Sequence, residues 1–128
     1  MSRILITDDS SSQRIILSGI LEKLGHEVET AGNGQEALEK IEANPPDCML
    51  LDNLMPVMDG LQTLEALKAK NITLPIIMLT ADIQEWLRTR CLELGATTFL
   101  NKPVKQAQIE AALQQIFPTP QTTEVPCI

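Results

Sequence analysis

Tyrosine is missing from this sequence, and one tryptophan and two phenylalanines are the only aromatic residues among 128. A core must therefore come from Leu, Ile, Val and Ala, which the 44% hydrophobic content allows. Positive charge is also scarce: 10 Lys and Arg stand against 17 Asp and Glu, a formal charge of −7. Such a surface repels nucleic-acid phosphates and acidic membranes, so neither is expected as a partner. No apolar stretch reaches the length of a membrane span, and no apolar signal region follows Met1-Ser2-Arg3-Ile4. The three cysteines, Cys48, Cys91 and Cys127, are an odd number without framework spacing. They exclude a disulfide scaffold and point to a reducing, cytoplasmic compartment. Internal repeats and low-complexity blocks are absent, and the length suits one domain.

What is present is an alternation of short apolar runs with longer amphipathic stretches. Strands are expected at Arg3–Thr7, Glu27–Ala31, Cys48–Leu51, Pro75–Thr80 and Thr98–Asn101. Between them lies a helix capped by Ser10, with Ile15, Ile16, Gly19, Ile20 and Leu24 at helical spacing and Gly25 at its end. Further helices are expected at Gly34–Ala43, Asp59–Lys70, Ile83–Leu94 and Lys105–Phe117. Trp86 falls at the edge of the fourth helix's stripe of Ile83, Leu87, Cys91 and Leu94, where it reads as a filler at the core's edge. Cys48, inside an apolar run, reads as a small buried hydrophobe. The Pro- and Thr-rich segment 118–128 is expected to be a disordered tail behind a domain of residues 1–117.

Glu27–Ala31 alternates as a half-buried strand should, but the apolar runs do not, and five β-then-α units of this kind argue for a parallel sheet covered on both faces. Right-handed crossovers leave few topologies, and a flavodoxin-like, doubly wound α/β fold with strand order 2-1-3-4-5 leads them. In such a sheet ligands bind beyond the carboxyl ends of the strands. Asp8 and Asp9 follow the first run, Asp52 the third, Thr80 ends the fourth and Lys102 follows the fifth. Clustered carboxylates repel one another unless a cation sits between them, and a hard divalent ion with oxygen ligands, Mg²⁺, suits a site awaiting phosphate. A carboxylate nucleophile beside a metal, a hydroxyl and a lysine is an arrangement for phosphoryl transfer.

Asp8-Asp9, Asp52 followed by Asn53-Leu54-Met55-Pro56 and Asp59-Gly60, Thr80-Ala81, and Lys102-Pro103 together resemble the signature of the two-component response-regulator receiver domain, as in stand-alone chemotaxis-type regulators. The resemblance runs from residue 3 to about 117. It implies Asp52 as phosphoacceptor, with Mg²⁺ bound directly by Asp9, through water by Asp8, and also by Asp52 and the Leu54 carbonyl. It implies that Thr80, Ala81 and Lys102 contact the phosphoryl group, that the Lys102–Pro103 peptide is cis, and that Phe99 is the switch aromatic. The phosphoryl donor would be a histidine kinase or phosphotransfer protein. The output would be protein binding by the surface of the fourth helix, fifth strand and fifth helix, with an aspartyl-phosphate phosphatase as a further partner. Such a chain is a signalling switch that catalyses its own phosphorylation and dephosphorylation, not an enzyme with a separate substrate.

Leu54 stands where many fast-cycling family members carry a polar side chain, and Asp82 lies two residues after Thr80. An apolar Leu54 cannot orient a hydrolytic water, so a slow-decaying phosphorylated state is expected. Phe99 lacks a hydroxyl, so its inward rotamer is expected to be populated before activation. Gly95-Ala96-Thr97-Thr98 lacks the acidic pair of many dimerising DNA-binding regulators, which favours a stand-alone protein. The alternatives are a degenerate receiver serving as a constitutive scaffold, opposed by the intact acidic cluster, and a flavin- or nucleotide-binding enzyme. Against the latter, no glycine-rich phosphate loop follows the first strand. A dehalogenase-type phosphatase would want an acid at position 54. Each motif also has an ordinary reading: Asp8 and Asp9 as helix N-terminal acids, Thr80-Ala81 as a turn, Lys102 as a solvated strand end. His26 has no companion His or Cys for a metal site.

Overall fold

A computed structural model describes residues 2–81 and 84–117. Five strands, β1 (Arg3–Thr7), β2 (Glu27–Ala31), β3 (Cys48–Asp52), β4 (Ile76–Thr80) and β5 (Thr98–Asn101), alternate with five helices. These are α1 (Ser11–Lys23), α2 (Gly34–Ala43), α3 (Gly60–Ala69), α4 (Glu85–Glu93) and α5 (Gln106–Ile116). All strand pairs are parallel and the order is β2-β1-β3-β4-β5. The fold is the flavodoxin-like one.

Successive side chains of a strand point to opposite faces, so each apolar run feeds two cores. Ile4, Ile6, Cys48, Leu50, Ile77 and Leu79 pack against α1 and α5 through Leu17, Leu21, Ile109 and Leu113. Leu5, Met49, Leu51, Ile76 and Met78 pack on the other face with α2, α3 and α4. Cys48 is buried as expected, and its thiol is pushed up to about 12, chiefly by that burial. β3 and β4 are buried from end to end, which explains their unbroken hydrophobicity.

Helix ends follow their capping chemistry. The Ser10 side chain accepts from the Gln13 N–H at 3.2 Å, and Asp59 and Gln62 close a capping box at the start of α3. Asp59, Lys70, Lys105 and Phe117 are caps rather than helical residues, which shortens the expected helices by one residue at those ends.

Two expectations about helix faces are corrected. In α1 the buried residues are Leu17 and Leu21, with Ile20 and Leu24 packed beside them, whereas Ile15 and Ile16 are exposed. Residues 17, 20, 21 and 24 form a complete i, i+3, i+4, i+7 stripe, and Ile15 and Ile16 precede it around the helix. In α4, Leu87 and Cys91 are buried but Trp86 is 58% exposed, its indole N–H donating to Gln84 Oε1. Trp86 directly precedes the Leu87–Cys91 row and so points away from the sheet. Expectations for Ile83, Asp82, Cys127 and the tail 118–128 concern positions outside the described residues.

Candidate functional site

The sheet reverses its order beside β1, so the carboxyl ends of β1 and β3 are neighbours at the point where the crossovers diverge. One residue past β1, Asp8 keeps a strand-like hydrogen bond, its N–H donating to the Ala31 carbonyl at 3.0 Å. Its side chain is buried, and Oδ1 accepts from the Ser10 N–H at 2.9 Å. Asp9, the next residue, is exposed. Asp52 is the last residue of β3 and is 5% exposed. Behind it the chain turns tightly: Asn53 N–H donates to the Leu79 carbonyl at 3.1 Å, and Gly60 N–H donates back to the Asn53 carbonyl at 2.8 Å. A Cβ on Gly60 would lie 2.6 Å from the Asp52 carbonyl oxygen, so only glycine lets α3 start this close to the strand.

Thr80 ends β4 and is buried, and its carbonyl accepts from the Lys102 N–H at 2.7 Å. That bond carries β5's pairing one residue further and delivers Lys102 to the same rim. Lys102 Nζ lies 2.7 Å from Asp52 Oδ1 and 3.4 Å from Asp8 Oδ2. The Lys102–Pro103 peptide is cis.

Carboxylate oxygens of Asp8, Asp9 and Asp52 all fall within 4.8 Å of one another. Burial raises the Asp52 carboxyl above the usual carboxylate range; the Lys102 hydrogen bond opposes this, and the charges of Asp8 and Asp9 add to it. Lys102 responds in the opposite sense. Burial lowers its pKa, but the Asp52 hydrogen bond and the charges of Asp52 and Asp8 outweigh burial and raise it. Both shifts have one origin: three acids share one ammonium, a deficit of positive charge at a buried site. A divalent cation with oxygen ligands fits that deficit and that donor set.

The structure therefore brings Asp8, Asp9, Asp52 and Lys102 into one cluster at the strand ends that also carry Thr80. Ala81 is exposed just beyond. Leu54 lies 72% exposed on the loop after Asp52. Phe99 sits lower on β5, opposite Met78, half-buried against the core face that includes Leu87 and Cys91. Three contributors were not singled out from sequence. Asn53 is buried beside Asp52 and forms both turn bonds. Val57 adopts a positive φ of 68°, strained for a β-branched residue, on the same loop. Arg14 donates from Nη1 to the Asp8 carbonyl at 2.5 Å. Only Arg14 had a signal to read, a cation one turn into the helix that follows an acidic pair.

A family model described as the response regulator receiver domain matches residues 4–114. The alkaline phosphatase synthesis transcriptional regulatory protein PhoP of Bacillus subtilis is 37% identical over 115 residues, covering 90% of this chain and 48% of that protein. The CpxR homolog of Haemophilus influenzae is 39% identical over 117 residues, covering 91% and 51% respectively. This chain thus spans about half the length of the curated relatives it matches. Among solved structures, chemotaxis protein CheY4 of Vibrio cholerae superposes with a TM-score of 0.85 at 34% identity, covering 91% of this chain and 99% of that one. The CheX-CheY-BeF3-Mg complex of Borrelia burgdorferi gives 0.86 at 32% identity, covering 91% and 89%.

Proposed function

Because this chain belongs to the response regulator receiver domain family, we propose that it is a phosphorylation switch in which Asp52 accepts the phosphoryl group. The observation that carries this reading is the position of Asp52, at a buried strand end, 2.7 Å from Lys102 and within the reach of Asp8 and Asp9. Phosphoryl acceptance is general for the family. Asp9 and Asp52 would hold Mg²⁺ directly, Asp8 through water, and the Leu54 backbone carbonyl would complete the protein's share. A bound Mg²⁺ supplies charge neutralisation for the oxygens of the phosphoryl group in transit.

The chain's own residues do the rest. A carboxylate oxygen of Asp52 forms the new bond to phosphorus as the bond to the donor's leaving nitrogen breaks. The donor is a histidine kinase or a phosphotransfer protein. Lys102, already turned toward Asp52, pairs with a phosphoryl oxygen, the Thr80 hydroxyl donates to a second, and the Ala81 N–H has a small enough side chain beside it to approach. Thr80 moving toward the phosphate frees space for Phe99, and the α4, β5 and α5 surface, with the exposed Trp86, changes shape for an output protein. Leu54 offers no hydrogen bond to an attacking water, so the phosphorylated state decays slowly and Leu54→Asn speeds its loss; a separate aspartyl-phosphate phosphatase would serve to reset it. No described helix is long and apolar enough to cross a membrane.

Incubation with phosphoramidate or acetyl phosphate tests the assignment. Label is expected on Asp52, only with Mg²⁺ present, and Asp52→Asn should take none. Asp52→Asn labelled as fully as the parent would refute it.

A further inference from the structure

We propose that Arg14 is a positioning residue for the metal-binding loop: it fixes the peptide that joins Asp8 to Asp9 and thereby sets where the Asp9 carboxylate is presented. This rests on the reading of Asp8, Asp9 and Asp52 as the Mg²⁺ ligands. The register between β1 and β2 ends at Thr7 and Ala31, so the Asp8 carbonyl lies beyond the ladder. An orphaned carbonyl next to the cluster would leave its peptide plane free to turn. Arg14 Nη1 donates to that carbonyl at 2.5 Å, a charge-assisted bond to the atom that defines the plane. The guanidinium is delivered from a rigid element, since Arg14 N–H already donates to the Ser10 carbonyl at 3.0 Å within the first turn of α1.

A Cβ built on Gly32 would lie 3.6 Å from Arg14 Nη1 and 3.5 Å from Glu36 Oε1, so the guanidinium runs close to the loop at Gly32, whose N–H donates to that Glu36 oxygen at 2.8 Å. Asp8 and Asp9 differ in what holds them. The Asp8 carboxylate is fixed by Ser10 and Lys102. The Asp9 carboxylate is exposed and, among the described residues, joins no hydrogen bond or ion pair. With no side-chain partner, where it is presented depends on its backbone, and the peptide leading into Asp9 is the one that accepts from Arg14.

The sign of the effect separates positioning from charge. Removing a cation beside a metal site should tighten Mg²⁺ binding if charge were the whole role. Loss of positioning should weaken it. Mg²⁺ titration of Arg14→Gln, followed by calorimetry and by the rise in unfolding temperature, is expected to show affinity lower by about tenfold, the scale of lost outer support at a metal site. Arg14→Lys, with a donor on a different stem, should recover part of that loss. On an Asp9→Asn background, Arg14→Gln should cost little more, because the two act through one ligand. At saturating Mg²⁺ the phosphoramidate reaction of Arg14→Gln should return close to the parent rate. Binding as tight as the parent's, no recovery in Arg14→Lys, or a full further loss on the Asp9→Asn background would each overturn the inference. A parent that binds no Mg²⁺ would overturn the underlying reading of the cluster as well.

Discussion

β3 and β4 each carry four buried apolar residues and then one buried polar residue at the carboxyl end, Asp52 and Thr80. The two parts of each strand are equally buried but contribute to folding in opposite ways. In the strand bodies, apolar area is removed from water on both faces of the sheet, the main favourable term in folding. At the strand ends, burial works against the group it covers, and the Asp52 carboxyl is pushed up because its charged form loses water and faces Asp8 and Asp9. The sheet is stabilised by its middle and opposed by the buried charge at its rim.

The largest effect is expected from removing a side chain from a strand body. Leu50 is fully buried, and Leu50→Ala should cost about 2–5 kcal/mol, read as a lower denaturation midpoint. Next comes the seam between body and rim. Gly60→Ala places a Cβ 2.6 Å from the Asp52 carbonyl oxygen and 2.9 Å from the Asn53 Cα, both backbone atoms that cannot swing aside. A cost of about 1–3 kcal/mol is expected, together with slower phosphorylation because the loop bearing Asn53 and Leu54 must shift. Unchanged stability and rate would show that the close approach is not needed.

How legible each region was follows from the same contrast. Strand bodies buried on both faces announce themselves as unbroken apolar runs, and polar residues stand out sharply where such runs stop. Asp8, Asp9, Asp52, Thr80 and Lys102 were therefore readable as a set. The helices were harder because an apolar residue on a helix can lie on either side. The pattern of Ile15, Ile16, Gly19, Ile20 and Leu24 passes for a buried face, but the fuller stripe through Leu17 and Leu21 wins because it packs against Ile4, Ile6 and Leu50. Trp86 gave no sign of its exposure, since large apolar residues next to a stripe are usually covered. Arg14 and Asn53 act through backbone groups, which sequence does not display.

Smaller effects should appear on the exposed faces. Ile16→Ser should change stability by less than about 0.5 kcal/mol, since Ile16 is 56% exposed and outside the stripe that packs on the sheet. A loss comparable with that of Leu50→Ala would restore the face expected from sequence and contradict the observed one. Area left in water carries little of the fold.

The claim that the rim opposes folding until a cation occupies it can be measured directly. The Asp52 carboxyl is raised in the folded chain, so the folded state favours its protonated form. The Asp52 contribution to metal-free stability should therefore be most favourable at low pH and be lost as pH rises through that raised range. Lys102, raised instead above the ordinary lysine range, keeps its contribution through neutral pH and loses it only in strong alkali. Unfolding temperature should be recorded from acid to neutral pH for the parent and Asp52→Asn, each with and without Mg²⁺. Metal-free Asp52→Asn should gain on the parent as pH approaches neutrality, and Mg²⁺ should close the gap by stabilising the parent more. A parent as stable as Asp52→Asn throughout without metal, with equal responses to Mg²⁺, would contradict it.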